Sequence, residues 1–424
     1  VGIPTLKEYI RLSRLGETFF NPKLNLIPLS DGFSLSFVLN IFLFIPLGFL
    51  CPFISKSYKK MKNTHNEELY IRQDNLSDKL FDKSSIFFDI ETTGFSPASS
   101  FTYMIGCAYR KDKNICIDQF FAETPAEESL ILKEFIKLLK NYNTIISFNG
   151  IGFDIPFLKA RFSKYDIDED FSSYNFIDIF KSITPLKPLL KLENYKQKTL
   201  EEFLQINRDD TYSGGDLINI YSEYIKNPDP GSLSCLMLHN YEDVLGMTEL
   251  LPILSYLKLA DRKYTIVDSR LSDYKTYDGK NEEEFFITLA NDYVVPKPVS
   301  IRDDSFCLSI FQEKTVIRTK VINDSLKYFY TDYKNYYYLP KEDMAIHKSV
   351  AAYVDRDHKE KCKASNCYIK KEGKFIIQHE NIMQPLFKND IKDKYSFFQL
   401  TSDFCSSDEM LLRYADHVIR HFIH

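Results

Sequence analysis

From Ser84 to about Leu257 the hydrophobic period of the chain changes in an order that few folds accommodate. Three strand-like runs, SIFFDIE, FTYMIGCAYR and NICIDQFFAE, follow one another closely. ESLILKEFIKLLKNY then places apolar residues at three- and four-residue intervals, as an amphipathic helix does. A fourth strand, NTIISFN, a helix, FDIPFLKARFSKY, a fifth strand, NFIDIF, and a mostly helical stretch complete the unit. Strands so close in sequence pair antiparallel, whereas helix-linked strands extend a sheet in parallel. The expectation is an α/β unit over residues 84–260, with a mixed five-stranded sheet flanked by helices.

The chemistry is concentrated at the ends of these elements. Asp89 and Glu91 lie two apart on the first strand and so project to one face, where two carboxylates repel unless a cation sits between them. Oxygen ligands of this type suit Mg²⁺ or Mn²⁺, which also bind substrate phosphates. Thr92, Thr93 and Gly94 follow, offering two hydroxyls and a close backbone approach to a nucleotide terminus. In SFNGIGFDIP the fourth strand ends at Asn149, a turn residue or a substrate contact. Asp154 precedes a proline in the first helical turn, where capping alone would explain it. A strand parallel to the first would nevertheless bring this turn, and Asp154, to the sheet edge that carries Asp89. In LHNYEDV, His239 and Asp243 are four apart on a helix and therefore stacked, while Tyr241 lies on another face and reads as packing.

Asp89, Glu91, Asp154 and Asp243, in this order and in these elements, resemble the DnaQ-like DEDD exonucleases. The likeness extends to the YprB-like, ribonuclease-H-fold members through SIFFDIETTGF, TIISFNGIGFDIPFL, KTLEEFLQINRDD, SGG and HNYEDVLGMTELL, over residues 84–257. The resemblance implies 3′-to-5′ hydrolysis of single-stranded DNA or RNA ends by two metal ions and no organic cofactor. It implies Asp89, Glu91, Asp154 and Asp243 as metal ligands, His239 as the base, and Thr92, Thr93, Gly94 and Asn149 as substrate contacts. One departure stands out. The family's third motif carries either a tyrosine four residues before the last acid or a histidine five before it, and His239 occupies the tyrosine register. A ribonuclease-H-like endonuclease and a catalytically idle nucleic-acid-binding module are the competing readings.

The remainder of the chain divides by composition. Residues 32–54 contain no charged side chain, a run long enough to cover about 30 Å of hydrocarbon as a helix, and Lys56, Lys59, Lys60 and Lys62 follow it. By the positive-inside rule the downstream chain is then cytoplasmic, anchored to the membrane face. NLIPL at 25–29 and NIFLFIPLGFLCPFI from Asn40 resemble VanZ-like membrane proteins over residues 1–62, which read as an anchor or a fusion remnant. Residues 63–83 read as a polar linker, and residues 265–424, with short strands and helices near 344–354 and 409–421, as an α+β accessory domain. A net charge of -5 excludes a generally basic nucleic-acid coat and leaves a local basic groove open. Eight scattered cysteines without a CxxC pair argue against a disulfide scaffold and read as free thiols. Cys362 and Cys367 would need two ligands from His347, His358, His379 or Cys405 to hold zinc.

Overall fold

The computed structural model describes residues 61–70, 74–275 and 279–423. The VanZ-like stretch and the apolar run at 32–54 lie outside the described residues. Among the described residues no helix is long and apolar enough to cross a membrane. Met61–His424 forms one compact unit.

Its first sheet has six strands: β1 (Lys62–Leu69), β2 (Ser85–Thr92), β3 (Thr102–Lys111), β4 (Asn114–Phe121), β5 (Thr144–Ser147) and β6 (Asn175–Asp178). They lie in the order β1-β4-β3-β2-β5-β6. β2, β3 and β4 are an antiparallel meander, and β5 and β6 extend it in parallel from β2. The sixth strand corrects the expected linker at 63–83: β1 pairs antiparallel with β4, and helix α1 (Asn75–Leu80) follows, capped by Asp74. β1 is exposed along most of its length, so it shows no two-residue alternation by which a strand is read.

Helix α2 (Glu128–Leu139) buries Ile131, Leu132, Phe135, Ile136 and Leu139 against the sheet, the positions its period dictates. Helix α3 (Asp154–Lys164) is tied to it by a buried ion pair: Arg161 meets Glu128 at 2.5 Å, and Tyr165 donates to the same carboxylate. Helices α4 (Gln197–Leu204), α5 (Gly214–Tyr224) and α6 (Pro230–Leu250) follow. α6 lies across β2 and β3, and Gly106 on β3 permits the approach. A Cβ there would stand 2.2 Å from the Asn240 side chain.

Residues 264–399 build a seven-stranded sheet around the long strand Lys314–Phe329, and a separate three-stranded sheet. This part, read from composition as an α+β accessory domain, shares its core with the first sheet. One continuous core joins Phe87, Val244 and Met247 to Leu308, Ile317, Leu411 and Tyr414. Helix α7 (Asp408–Phe422) carries Leu411, Tyr414, Ala415, Val418 and Phe422 into that core on one stripe. The helix expected at 344–354 is a strand, Met344–His347, followed by the single turn Lys348–Ala351. Cys362 and Cys367 are free and packed with Ala345 under tyrosines, and no metal-ligating cluster forms around them among the described residues.

Candidate metal centre

Asp89 and Glu91 sit at the end of β2, opposite Gly106 and Met104 of β3. α6 brings His239 and Asp243 over them. His239 Nε2 lies 3.1 Å from Asp243 Oδ2 and 3.7 Å from Glu91 Oε1. Glu91, His239 and Asp243 each present one ligand atom within 4.8 Å of the others. Tyr241, on a different face of α6, donates its hydroxyl to Glu68 at 2.7 Å.

Asp154 arrives from the turn after β5, because β5 runs parallel to β2 and ends at the same edge. It does not cap its helix: α3 begins at Asp154, behind Phe153 and without a side-chain capping bond. The Asp154 Oδ1 atom instead accepts from the Ile90 amide, 3.3 Å away, between the two acids of β2. The turn itself is shaped by Asp178, which accepts from the amides of Asn149 and Ile151. Asn149 has a φ of +61°, the left-handed conformation asparagine tolerates.

Thr92, Thr93 and Gly94 are held by contacts within their own loop. Thr92 donates its hydroxyl to the Gly94 carbonyl at 2.9 Å, and Thr93 Oγ1 accepts from the Phe101 amide at 3.1 Å. Ser100 Oγ lies 2.6 Å from where a Gly94 Cβ would be. The three residues close the 92–101 loop. Two clefts beside the acids are lined by other residues and share Asp89, Ile90, Lys196 and Gln197. The larger, about 680 Å³, includes Phe95, Asn149, Phe153, Asp154 and Lys187. The other, about 510 Å³, includes Glu91, Lys198, Tyr212, His239 and Asp243.

Residues unassigned from sequence complete the centre. Asp210 Oδ2 holds His239 Nδ1 at 2.7 Å, and Lys198 holds Asp210 at 2.9 Å. Buried Gln119 donates to Asn240 Oδ1, and Asn240 donates to Asp89 Oδ2 at 3.4 Å. Arg208 meets Asp243 at 2.5 Å and Glu201 at 3.0 Å. Asp210, Arg208 and Glu201 all fall in KTLEEFLQINRDD, whose charges carry no spacing signal that separates a site from a solvated helix end.

Burial dominates the electrostatics. It pushes Asp89 well above the usual carboxylate range, with the charges of Asp154, Glu91 and Asp243 adding to the effect. Burial also raises Glu91 to about 8 and Asp154 to about 7. For His239 burial alone would lower the pKa, but the hydrogen bond and charge of Asp243, with Glu91 and Asp210, raise it to about 9. Asp243 stays below its ordinary value because His239 and Arg208 outweigh its burial.

These directions define a pH dependence for the cation-free chain. The folded state retains protons on Asp89, Glu91 and Asp154 that an unfolded chain has lost above about pH 5, and one on His239 that it loses near 6.5. Each folded pKa lies above its unfolded value, so the stability these four groups contribute is greatest below the unfolded pKa and is lost as pH rises through the folded pKa. His379 and His417 act with the opposite sign. Burial and the nearby His421 hold both at about 4, so they reduce stability as pH falls from about 6.5 to 4 and do nothing above that. Between pH 6.5 and 9 the unfolding free energy in urea should therefore fall, by up to about 1.4 kcal/mol per pH unit for each proton retained. Glu91→Gln should flatten the profile, and a stability that rises across this window in the wild type would contradict the assigned burial effects.

Residues 86–255 match the profile of a family described as RNase_H superfamily, and this part of the chain has a ribonuclease-H-like fold. The uncharacterized protein YprB of Bacillus subtilis (strain 168) is 26% identical over 179 residues, which cover 41% of this chain and 43% of that protein. The chain thus spans less than half the length of the curated relative it matches. Among solved structures, the family B DNA polymerase of the hyperthermophilic archaeon Pyrobaculum calidifontis aligns at 17% identity over 42% of this chain and 26% of that one, with a TM-score of 0.33. E. coli ExoI in its complex with single-stranded DNA aligns at 13% identity over 50% of this chain and 55% of that one, with a TM-score of 0.27.

Proposed function

We propose that this chain is a nuclease that removes nucleotides from the 3′ end of single-stranded nucleic acid, with two divalent cations held by Asp89, Glu91, Asp154 and Asp243. The observation that carries this reading is the convergence of four carboxylates from three separate segments at one sheet edge, beside a cleft lined by Phe95, Lys187 and Lys196. The donor set fits such cations. The carboxylates are oxygen ligands whose burial raises three of their pKa values, with repulsion from their fellow ligands adding to the rise at Asp89 and Glu91, a cost that bound positive charge would relieve. Bound there, the cations would supply the charge that polarises a scissile phosphate and acidifies the attacking water.

The chain's own residues do the positioning. Asp210 accepts at His239 Nδ1, which leaves Nε2, directed at Asp243 and Glu91, as the atom to take the water proton. The carboxylates that raise His239 in the cation-free chain would be neutralised by the cations they bind, returning the imidazole toward its neutral form. Phe95, 87% exposed, stands edge-on to Phe153 at the mouth of the larger cleft, where a base can stack. Lys187, Lys196 and Lys198 line the two clefts and can track a phosphate backbone despite the net negative charge of the whole chain.

The test is hydrolysis of 5′-labelled single-stranded DNA and RNA by the full chain in Mg²⁺ or Mn²⁺. Stepwise shortening from the 3′ end is expected, with no attack on a circular or 3′-blocked strand. Cutting of the circle would establish an endonuclease instead, and binding without hydrolysis would establish an idle binding module.

A further inference from the structure

The edge strand β1 places a second set of ligating side chains on the sheet. In the antiparallel register His65 stands opposite Asp118, and Glu67 opposite Cys116. Residues two apart on a strand share a face, so all four side chains gather on one side of the β1–β4 ribbon. Asp118 Oδ1 is 2.5 Å from His65 Nδ1, and Tyr109 donates its hydroxyl to the other Asp118 oxygen at 2.9 Å. With Nδ1 carrying the proton, the free lone pair of His65 is on Nε2, which lies 3.3 Å from Glu67 Oε1. Glu67 Oε1 is in turn 3.9 Å from the sulfur of buried Cys116, while Asn114 holds Oε2 at 3.0 Å. One atom each from His65, Glu67 and Cys116 falls within 4.8 Å of the others.

The geometry points to a zinc-class metal site formed by His65 Nε2, Glu67 Oε1 and Cys116 Sγ, with Asp118 orienting the imidazole from behind. Metal–ligand distances of about 2.0 to 2.3 Å imply tetrahedral edges of about 3.3 to 3.8 Å, close to the 3.3 Å between His65 Nε2 and Glu67 Oε1 and the 3.9 Å between Glu67 Oε1 and Cys116 Sγ. A nitrogen, a thiolate and one carboxylate oxygen suit Zn²⁺ over Mg²⁺, which takes oxygen ligands and water. The carboxylate–imidazole pair behind the metal position is the arrangement that fixes ring orientation at protein zinc sites. Exposed Lys111, 3.7 Å from Glu67 Oε1, supplies positive charge to that carboxylate when no cation does. Bound metal would clip the edge strand to β4 and hold the polar ribbon in register. The site is independent of the nuclease reading, because none of its ligands belongs to the Asp89 centre.

The full chain, loaded with Zn²⁺ and freed of excess by gel filtration, should retain one equivalent that His65→Ala, Glu67→Gln and Cys116→Ser each lose and Asp89→Asn keeps. Co²⁺ in place of Zn²⁺ should give a thiolate-to-cobalt charge-transfer absorption that is absent in Cys116→Ser. Cys116 is buried and its substitution could unfold the chain, so the two exposed positions decide the matter alone. Zinc content unchanged in both His65→Ala and Glu67→Gln overturns the site. A charge-transfer band that persists in folded Cys116→Ser overturns it as well, assigning the thiolate to another cysteine.

Discussion

Asp89→Asn should abolish nucleic-acid hydrolysis while leaving the chain folded and, without cations, more stable than the wild type. The substitution keeps the side-chain shape, and its amide oxygen can still accept from Asn240, so the contact between α6 and β2 survives. It removes a carboxyl whose negative charge burial penalises and Asp154, Glu91 and Asp243 repel, so the folded, cation-free chain no longer has to hold a proton there. The same charge is what a cation bound at the end of β2 requires. Turnover should fall by at least about a hundredfold, or about 2.7 kcal/mol of barrier. Thermal melting in EDTA should move upward in the variant, and this gain should vanish when Mg²⁺ is restored to both proteins. Asp243→Asn should share the loss of activity without the gain in stability, because Asp243 is held ionised by Arg208 and His239 and its loss leaves Arg208 without its nearest partner. Turnover of more than about a tenth of wild type in Asp89→Asn, a change of under about 1.4 kcal/mol, would remove the metal-ligand assignment.

The second large effect is expected at His239. His239→Ala should lower turnover by about 10² to 10⁴-fold, the usual contribution of a positioned acid or base. Wild-type activity should fall on the acid side with an apparent pKa near that of a histidine, roughly 6 to 7, and this limb should disappear in the variant. His239→Tyr tests register directly, since it restores the residue type that the resembled family carries four positions before its last acid. Partial recovery is expected if a hydroxyl can reach the same space between Asp243 and Glu91. Tyr241→Phe should leave turnover unchanged, because the Tyr241 hydroxyl is bonded to Glu68 on another face of α6. Asp210→Asn should act more weakly than His239→Ala and displace the pH profile, since Asp210 works through the imidazole it orients. Loss of activity in Tyr241→Phe with none in His239→Ala would exchange the two roles.

Local pattern and tertiary structure contributed different parts of this protein. The meander, the parallel extension and α2 were legible from sequence because each buries one face, and burial imposes a period of two on strands and three to four on helices. Asp89 and Glu91 follow from strand alternation alone, and His239 and Asp243 from the turn of a helix. β1 was not legible, because an edge strand exposed along most of its length has no buried face to set a period. Nor was the joining of residues 264–423 to the first sheet, since a shared core is a property of surfaces that meet only after both have formed. Asp154 marks the boundary between the two kinds of information. Its sequence neighbourhood suits a helix cap, and only the parallel pairing of β5 with β2 turns its carboxylate toward the Ile90 amide. Asp210 and Arg208 lie on the far side of that boundary. They are charges in a charged segment until the chain returns them to α6, where Asp210 orients His239 and Arg208 pairs with Asp243. Periodic burial writes itself into a local stretch of chain, whereas charge pairing between distant segments leaves no local period to read.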